Sequence, residues 1–205
     1  MLSPETESAP IAEETIGSIF VVRFSRPSQR NTLSTETLNA LAITLNQLKT
    51  SPSVRSVIFT GTADAFASGA DINELARLDP SQAHEFSRRG QQLTGAIANL
   101  SQVTIAAING FCMGGGLDFA LACDIRLASK SAVFAHPGSK LGIITGWGGT
   151  QRLARLIGKS KAIELFSTAR RFSSDEALKA GLVTQIADPV LEAAIAIANS
   201  STSTS

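Results

Sequence analysis

Along residues 18–24, Ser-Ile-Phe-Val-Val-Arg-Phe, β-branched and aromatic side chains follow one another almost without a break, which predicts a strand. Arg26-Pro27 ends it, because proline has no N–H to give to a ladder. Leu38, Leu41, Leu45 and Leu48 then recur at three- and four-residue intervals, the face of an amphipathic helix, and Ser34 stands where an N-cap belongs. After Ser51-Pro52 the apolar run 54–60 predicts a second strand, and strand, helix, strand in that order predicts a parallel crossover. A loop over 66–71 precedes a short helix and then a longer one over 81–99, with Phe86, Leu93 and Ile97 on its apolar side. Residues 103–109 read as a buried strand running straight into the glycine-rich stretch 110–116. Beyond it the pattern predicts a helix over 117–122, a strand over 124–128, and helices over 150–156, 161–167 and 189–198. This alternation places the chain in the α/β class, and no internal repeat is visible in it.

The pattern fades at both ends. Residues 1–14 carry Pro4, Pro10 and four glutamates, without the basic start or apolar run of a secretory signal, and are expected to form a flexible N-terminal tail. Residues 199–205, Asn-Ser-Ser-Thr-Ser-Thr-Ser, have nothing to bury and are expected as a disordered polar tail, leaving 15–198 as one core domain. No apolar stretch reaches the length of a bilayer span, so no membrane partner is expected. With 18 Lys plus Arg against 17 Asp plus Glu there is no net field to draw in nucleic acid. Cys112 and Cys123 are too few for a disulfide framework and lack paired zinc spacing, which fits a reducing, cytoplasmic setting. No His/Asp/Glu cluster has metal-ligand spacing, and residues 110–116 lack the G-x-G-x-x-G of a dinucleotide fold, so neither metal nor cofactor is expected.

Chemistry is suggested by two glycine-bearing turns, Ala67-Ser-Gly-Ala-Asp71 and Gly114-Gly-Gly-Leu-Asp118, each following a strand and opening a helix. Helix starts leave backbone N–H groups unpaired, and glycine lets a ligand approach them. Two such donors converging would stabilise a thioester enolate. Tight turns with packing glycines are the alternative.

Phe66-Ala-Ser-Gly-Ala-Asp-Ile72, Ala107-Ile-Asn-Gly-Phe-Cys-Met-Gly-Gly-Gly116 and Cys123-Asp-Ile-Arg126 resemble, in order and spacing, the crotonase (enoyl-coenzyme A hydratase/isomerase) superfamily. Asn31-Thr-Leu33, Gly148-Gly-Thr-Gln-Arg-Leu153 and Ala180-Gly-Leu-Val183 extend the likeness over nearly the whole chain. The resemblance implies the ClpP/crotonase fold, a spiral of ββα units, and assembly as a homotrimer or dimer of trimers. It implies an acyl-CoA substrate, with coenzyme A as part of that substrate, and an oxyanion hole at the N–H groups of Ser68 and Gly115. Ser68, Gly69, Ala70, Asp71 and the neighbourhood of Arg30 would line the coenzyme A groove; a solvated loop arginine is the other reading of Arg30.

The sequence departs from the superfamily where hydratases carry two glutamates, one to activate water and one to protonate the alpha carbon. The first position is Asp118, withdrawn by one methylene, about 1.5 Å of reach; it is either the acid/base or a partner of the helix dipole. The second is Gly138, with no side chain, and His136 two residues earlier is either its replacement or a packed structural histidine. Residues 142–149, where other members place a single acid, hold no carboxylate; Trp147 there either walls the acyl pocket or belongs to the core. Members continue past the position of Ile197 with further helices, so a shortened C-terminal helical part is expected. These features point to hydration and dehydration of a 2-enoyl thioester. An isomerase, decarboxylase or thioester hydrolase on the same oxyanion hole, or a non-catalytic acyl-CoA-binding subunit, are the alternatives. A serine peptidase built on Ser68 fails because neither His84 nor His136 has an assignable orienting acid.

Overall fold

A computed structural model describes residues 9–200. In chain order its strands and helices are β1 (Ile11–Ile16), β2 (Ile19–Phe24), β3 (Thr32–Leu33), α1 (Thr35–Leu48), β4 (Ser56–Thr60), β5 (Ala65–Ala67), β6 (Gly69–Ala70), α2 (Ile72–Leu75), α3 (Pro80–Ala98) and β7 (Val103–Ile108). They continue with β8 (Phe111–Met113), α4 (Gly115–Ala122), β9 (Ile125–Ala128), β10 (Val133–Ala135), α5 (Gly149–Ile157), α6 (Lys159–Thr168), β11 (Phe172–Ser173), α7 (Ser174–Lys179), β12 (Gln185–Ile186) and α8 (Val190–Ser200).

The strands form a six-stranded sheet ordered β1-β2-β4-β7-β9-β12, a four-stranded sheet ordered β11-β10-β8-β5, and the pair β3-β6. All pairings in the large sheet are parallel except β1 with β2. Each long strand of the large sheet hands the chain to a short strand of the small one: β4 to β5, β7 to β8, β9 to β10. This is the expected spiral of ββα units. The short strands were expected as loop and glycine turn, because three residues are too few to show a period. The chain therefore does not run straight from β7 into a glycine turn: β8 intervenes, and α4 begins at Gly115 rather than 117.

Both faces of the large sheet are covered, and β4 is buried at every position. On one face Ile19, Val21, Ile58, Ile105 and Leu127 meet Val190, Ala194 and Ala198, one stripe of α8. On the other, Val22, Phe24, Phe59 and Phe66 pack with Leu41 and Leu45 of α1 and with Phe119 of α4. Phe119 makes edge contacts with Phe24 and Phe59, at centroid distances of 5.4 and 4.9 Å. Those rings fix the position of α4, the helix that carries Asp118.

The chain ends differ from expectation. Residues 11–14, assigned to a flexible tail over 1–14, lie in β1, where a Gly17-Ser18 turn with Gly17 at φ +60° joins it to β2 in a two-residue hairpin. Residues 1–8 lie outside the described residues. Asn199 and Ser200, assigned to the polar tail 199–205, are the last residues of α8; 201–205 lie outside the described residues. No helix among the described residues is long and apolar enough to cross a membrane.

Ser34 caps α1 as expected, its Oγ accepting from the Thr37 N–H at 3.3 Å. Ser34→Ala should cost about 1 kcal/mol, read as a lower denaturation midpoint; an unchanged midpoint would show that the cap is dispensable.

Candidate active site

Helix α4 is buried over nearly its whole length because its sequence, Gly-Gly-Leu-Asp-Phe-Ala-Leu-Ala, offers almost nothing polar. Its close approach to β5 depends on Gly116, where a Cβ would lie 2.2 Å from the Ala67 carbonyl oxygen. Gly114 opens the helix at φ +50°, ψ −119°, a conformation suited to glycine. The first N–H groups of the helix, that of Gly115 among them, have no intrahelical acceptor.

The two glycine turns meet at this end. A Cβ on Gly69 would stand 3.1 Å from the Gly115 nitrogen, so these backbones are in contact. Ser68 itself is placed differently from the expectation. Its N–H donates to the Arg30 carbonyl at 3.1 Å, so it is committed to the fold and not free for an oxyanion. The segment that abuts Gly115 is Gly69, followed by Ala70. Asp71 is likewise occupied: its carboxylate caps α2, accepting from the N–H groups of Asn73 and Glu74. Arg30 is exposed, and its guanidinium lies 5.1 Å from the centre of the Phe111 ring, with that of Arg171 5.7 Å from the same ring.

Asp118 has no exposed surface. Its Oδ2 accepts from the Thr145 hydroxyl, and its Oδ1 lies 3.3 Å from His136 Nε2. Burial pushes the carboxyl up to about 7, opposed by the Thr145 hydroxyl, the Trp147 and Gly149 N–H groups and the Arg152 charge. Burial likewise pushes His136 down to about 4. The imidazole sits 4.8 Å from the Phe166 ring. The residues between β10 and α5 thus hold Asp118 in place, and Gly149 leaves it room: a Cβ there would fall 1.8 Å from Oδ1.

Trp147 is buried against two glycines. Its indole fills the space where side chains on Gly90 and Gly115 would lie: a Cβ would fall 2.0 Å from the indole at Gly90 and 2.5 Å from it at Gly115. Phe86 packs on the same ring at 5.4 Å. The ring therefore walls the Gly115 end of α4. Gly138 offers no acid, and none fits: a Cβ there would be 2.6 Å from the Ile143 carbonyl oxygen. A cleft of about 270 Å³ between Arg126, Arg152 and Arg155 lies at the other end of α4, and none of the expected site residues line it.

Sequence reasoning missed Thr145 and Arg152. Arg152 Nη1 donates to the Trp147 carbonyl at 2.9 Å and to Thr94 Oγ1 at 3.3 Å, tying the Trp147 segment to α3. Arg152 lies in the family-like stretch 148–153, which did not reveal what it binds, and Thr145 carries no signal of its own; the contacts to Thr94 and Asp118 are long-range.

Comparison with known proteins agrees with this architecture. A sequence model of the family described as enoyl-CoA hydratase/isomerase matches residues 14–204. A short-chain-enoyl-CoA hydratase of Clostridium acetobutylicum is 38% identical over 174 residues, 84% of this chain and 67% of that protein. A crotonyl-CoA hydratase of Syntrophomonas wolfei is 39% identical over 170 residues, 82% of this chain and 65% of the relative. The chain spans about two thirds of the length of these curated relatives. The crystal structure of an enoyl-CoA hydratase from Bacillus anthracis superposes with a TM-score of 0.90 at 37% identity, covering 93% of this chain and 76% of that one. A structure of Pseudomonas aeruginosa DspI superposes with a TM-score of 0.92 at 32% identity, covering 100% of this chain and 79% of that one.

Proposed function

Because the chain belongs to the enoyl-CoA hydratase/isomerase family, we propose that it binds 2-enoyl-CoA thioesters and interconverts them with their hydrated forms. The observation that carries this reading is the placing of the Gly115 N–H and the Asp118 carboxylate one helical turn apart on the buried helix α4. The helix start favours developing negative charge, so a thioester oxygen is stabilised where Gly115 presents its N–H. The Gly69–Ala70 turn, which lies against Gly115, is the segment placed to add a second donor in place of Ser68.

In the forward direction a water oxygen bonds to the beta carbon while its proton passes to Asp118. The electrons of the double bond move onto the thioester oxygen, giving an enolate. The enolate then collapses, and the alpha carbon takes the proton from Asp118. Water has been added and the carboxylate regenerated, with a single group serving as base and then as acid. A carboxyl that burial lifts to about 7 is suited to both halves. Asp118 has no exposed surface, so reaction there requires substrate to displace the groups that cover its carboxylate, Thr145 among them.

Arg30 and Arg171 at the Phe111 ring place positive charge beside the Ser68 loop, in support of a coenzyme A phosphate there. The exposed Leu141, Ile143, Ile144 and Ile163 support assembly as a homotrimer or dimer of trimers, and the buried thiols of Cys112 and Cys123 are in keeping with the cytoplasm.

One observation favours a second reaction. The Ile143 carbonyl leaves no room for an acid at Gly138, and double-bond isomerisation needs only one group to take a proton and return it elsewhere. Incubating the purified chain with crotonyl-CoA and a panel of acyl thioesters separates the readings. Product heavier by one water is expected; an isomer of unchanged mass would favour isomerisation, and tight binding without product would favour a non-catalytic subunit.

A further inference from the structure

We infer that Asp118 and His136 act as one unit that holds a single proton between Oδ1 and Nε2, with His136 as the positioning residue for the aspartate. The inference about rate rests on the reading of Asp118 as the acid/base; the pairing itself does not.

The geometry leaves little else for these atoms to do. Oδ1 and Nε2 are 3.3 Å apart, their side chains are 0% and 3% exposed, and neither atom completes a hydrogen bond to another group among the described residues; the Trp147 and Gly149 N–H groups lie near the carboxylate without bond geometry to Oδ1. The other carboxylate oxygen is already taken by Thr145. Two buried acceptors facing each other without a proton would both go unsatisfied, and one proton in the gap satisfies both. The Phe166 ring on α6 packs on the imidazole, and Pro137 follows it in the chain, so the ring is held against Oδ1.

Two further groups bear on the pair. Arg152 on α5 favours the carboxylate form, and the Cys112 thiol in β8, which burial holds well above its usual range, stays protonated and neutral. The pair therefore settles its own protonation. Unfolded, an aspartate near 3.8 and a histidine near 6.5 share one proton between about pH 4 and 6.5, on the histidine; folded, burial moves it to the aspartate without changing the count. Above about pH 7 that proton leaves, and the imidazole must present its own N–H at Nε2 to keep the gap filled. The aspartate can thus lose or regain a proton without leaving a bare buried charge, which is what one group serving as both base and acid requires.

The direct test is 15N NMR of the imidazole rings in the unliganded chain. The sequence contains two histidines, and the second, His84, is exposed. The His136 Nε2 resonance is expected to remain in the neutral range at lower pH, then to step as the pH passes about 7. The step should vanish in Asp118→Asn. Full protonation of His136 near pH 6, or a step that survives Asp118→Asn, overturns the pair.

Folding equilibria read the same proton count. In His136→Gln the folded state alone binds the aspartate proton, so relative to the unaltered chain its folding constant should fall about tenfold per pH unit from pH 4 to 6.5. In Asp118→Asn the unfolded state alone binds the histidine proton, and the constant should rise about as steeply over that window. Parallel curves for all three proteins overturn the inference. With crotonyl-CoA, His136→Gln should keep KM, lower kcat and shift the pH profile, whereas His136→Leu, which cannot bridge the gap, should lower kcat further. An unmoved profile in His136→Gln assigns His136 to packing alone. Full turnover in Asp118→Asn would sink the acid/base role alone, and the NMR step in the unaltered chain would still stand or fall by itself.

Discussion

Asp118→Asn is expected to lower turnover of crotonyl-CoA by about 10²–10⁴-fold, the range for removing a positioned acid/base. Asparagine keeps the shape of the side chain and an oxygen for the Thr145 hydroxyl, so α4 and the residues it holds stay in place. What is lost is the ability to take a proton from water and give it to the alpha carbon. KM should change little, because Gly115 and the residues near Arg30 remain. Stability should move the other way. Taken alone, the aspartate titrates near 7 when folded and near 3.8 when unfolded, so its own contribution to stability is lost as pH rises between these values, a loss that His136 offsets below about pH 6.5 by binding its proton only in the unfolded state. That loss is worth about 4 kcal/mol above pH 7, and the asparagine variant escapes it. Steady-state rates and urea denaturation at pH 8 check both parts. A variant that is fully active would remove Asp118 from the chemistry and leave it as a clip for the 145–149 segment.

Trp147→Ala should cost about 3–5 kcal/mol of stability, the range for truncating a large buried aromatic ring. The indole is 4% exposed and occupies the space left by the missing side chains of Gly90 and Gly115, with Phe86 against it, so its removal opens a cavity beside the site. Turnover should fall as well, because the wall next to the Gly115 N–H would admit water. Gly115→Ala is the complementary change, since its Cβ would press into the ring at 2.5 Å. Combined with Trp147→Ala it should be less damaging than the two separate costs imply. Denaturant midpoints of the four proteins test this; additive losses would mean that the ring and Gly115 do not share the space.

Much of this was legible in the chain. The leucines of α1, with Ser34 as its cap, and the apolar runs of β2, β4 and β7 showed the elements of the large sheet, because long segments repeat their period often enough to be recognised. β5, β8 and β10 were not legible. Three residues carry no period, and these strands exist because each pairs with its neighbours in the small sheet. β1 was missed for a related reason: its residues after Ile11 are exposed, so its hold on the fold is the ladder to β2, though Gly17-Ser18 was a usable turn signal.

The sequence by itself determined the α/β class, the glycine turn at 114–116 that leads into a helix and the identity of Asp118 as the carboxylate on that helix, because these depend on residue type and local spacing. Tertiary structure alone decided that the Ser68 N–H is spent on Arg30 and that Asp71 is spent as a cap. It also brought Thr145 and His136 to the two oxygens of Asp118, across 27 and 18 positions of chain. Which polar groups are consumed by the fold, and which are left facing one another, depends on partners distant in sequence. Burial then sets their protonation, and burial is a property of the packed molecule.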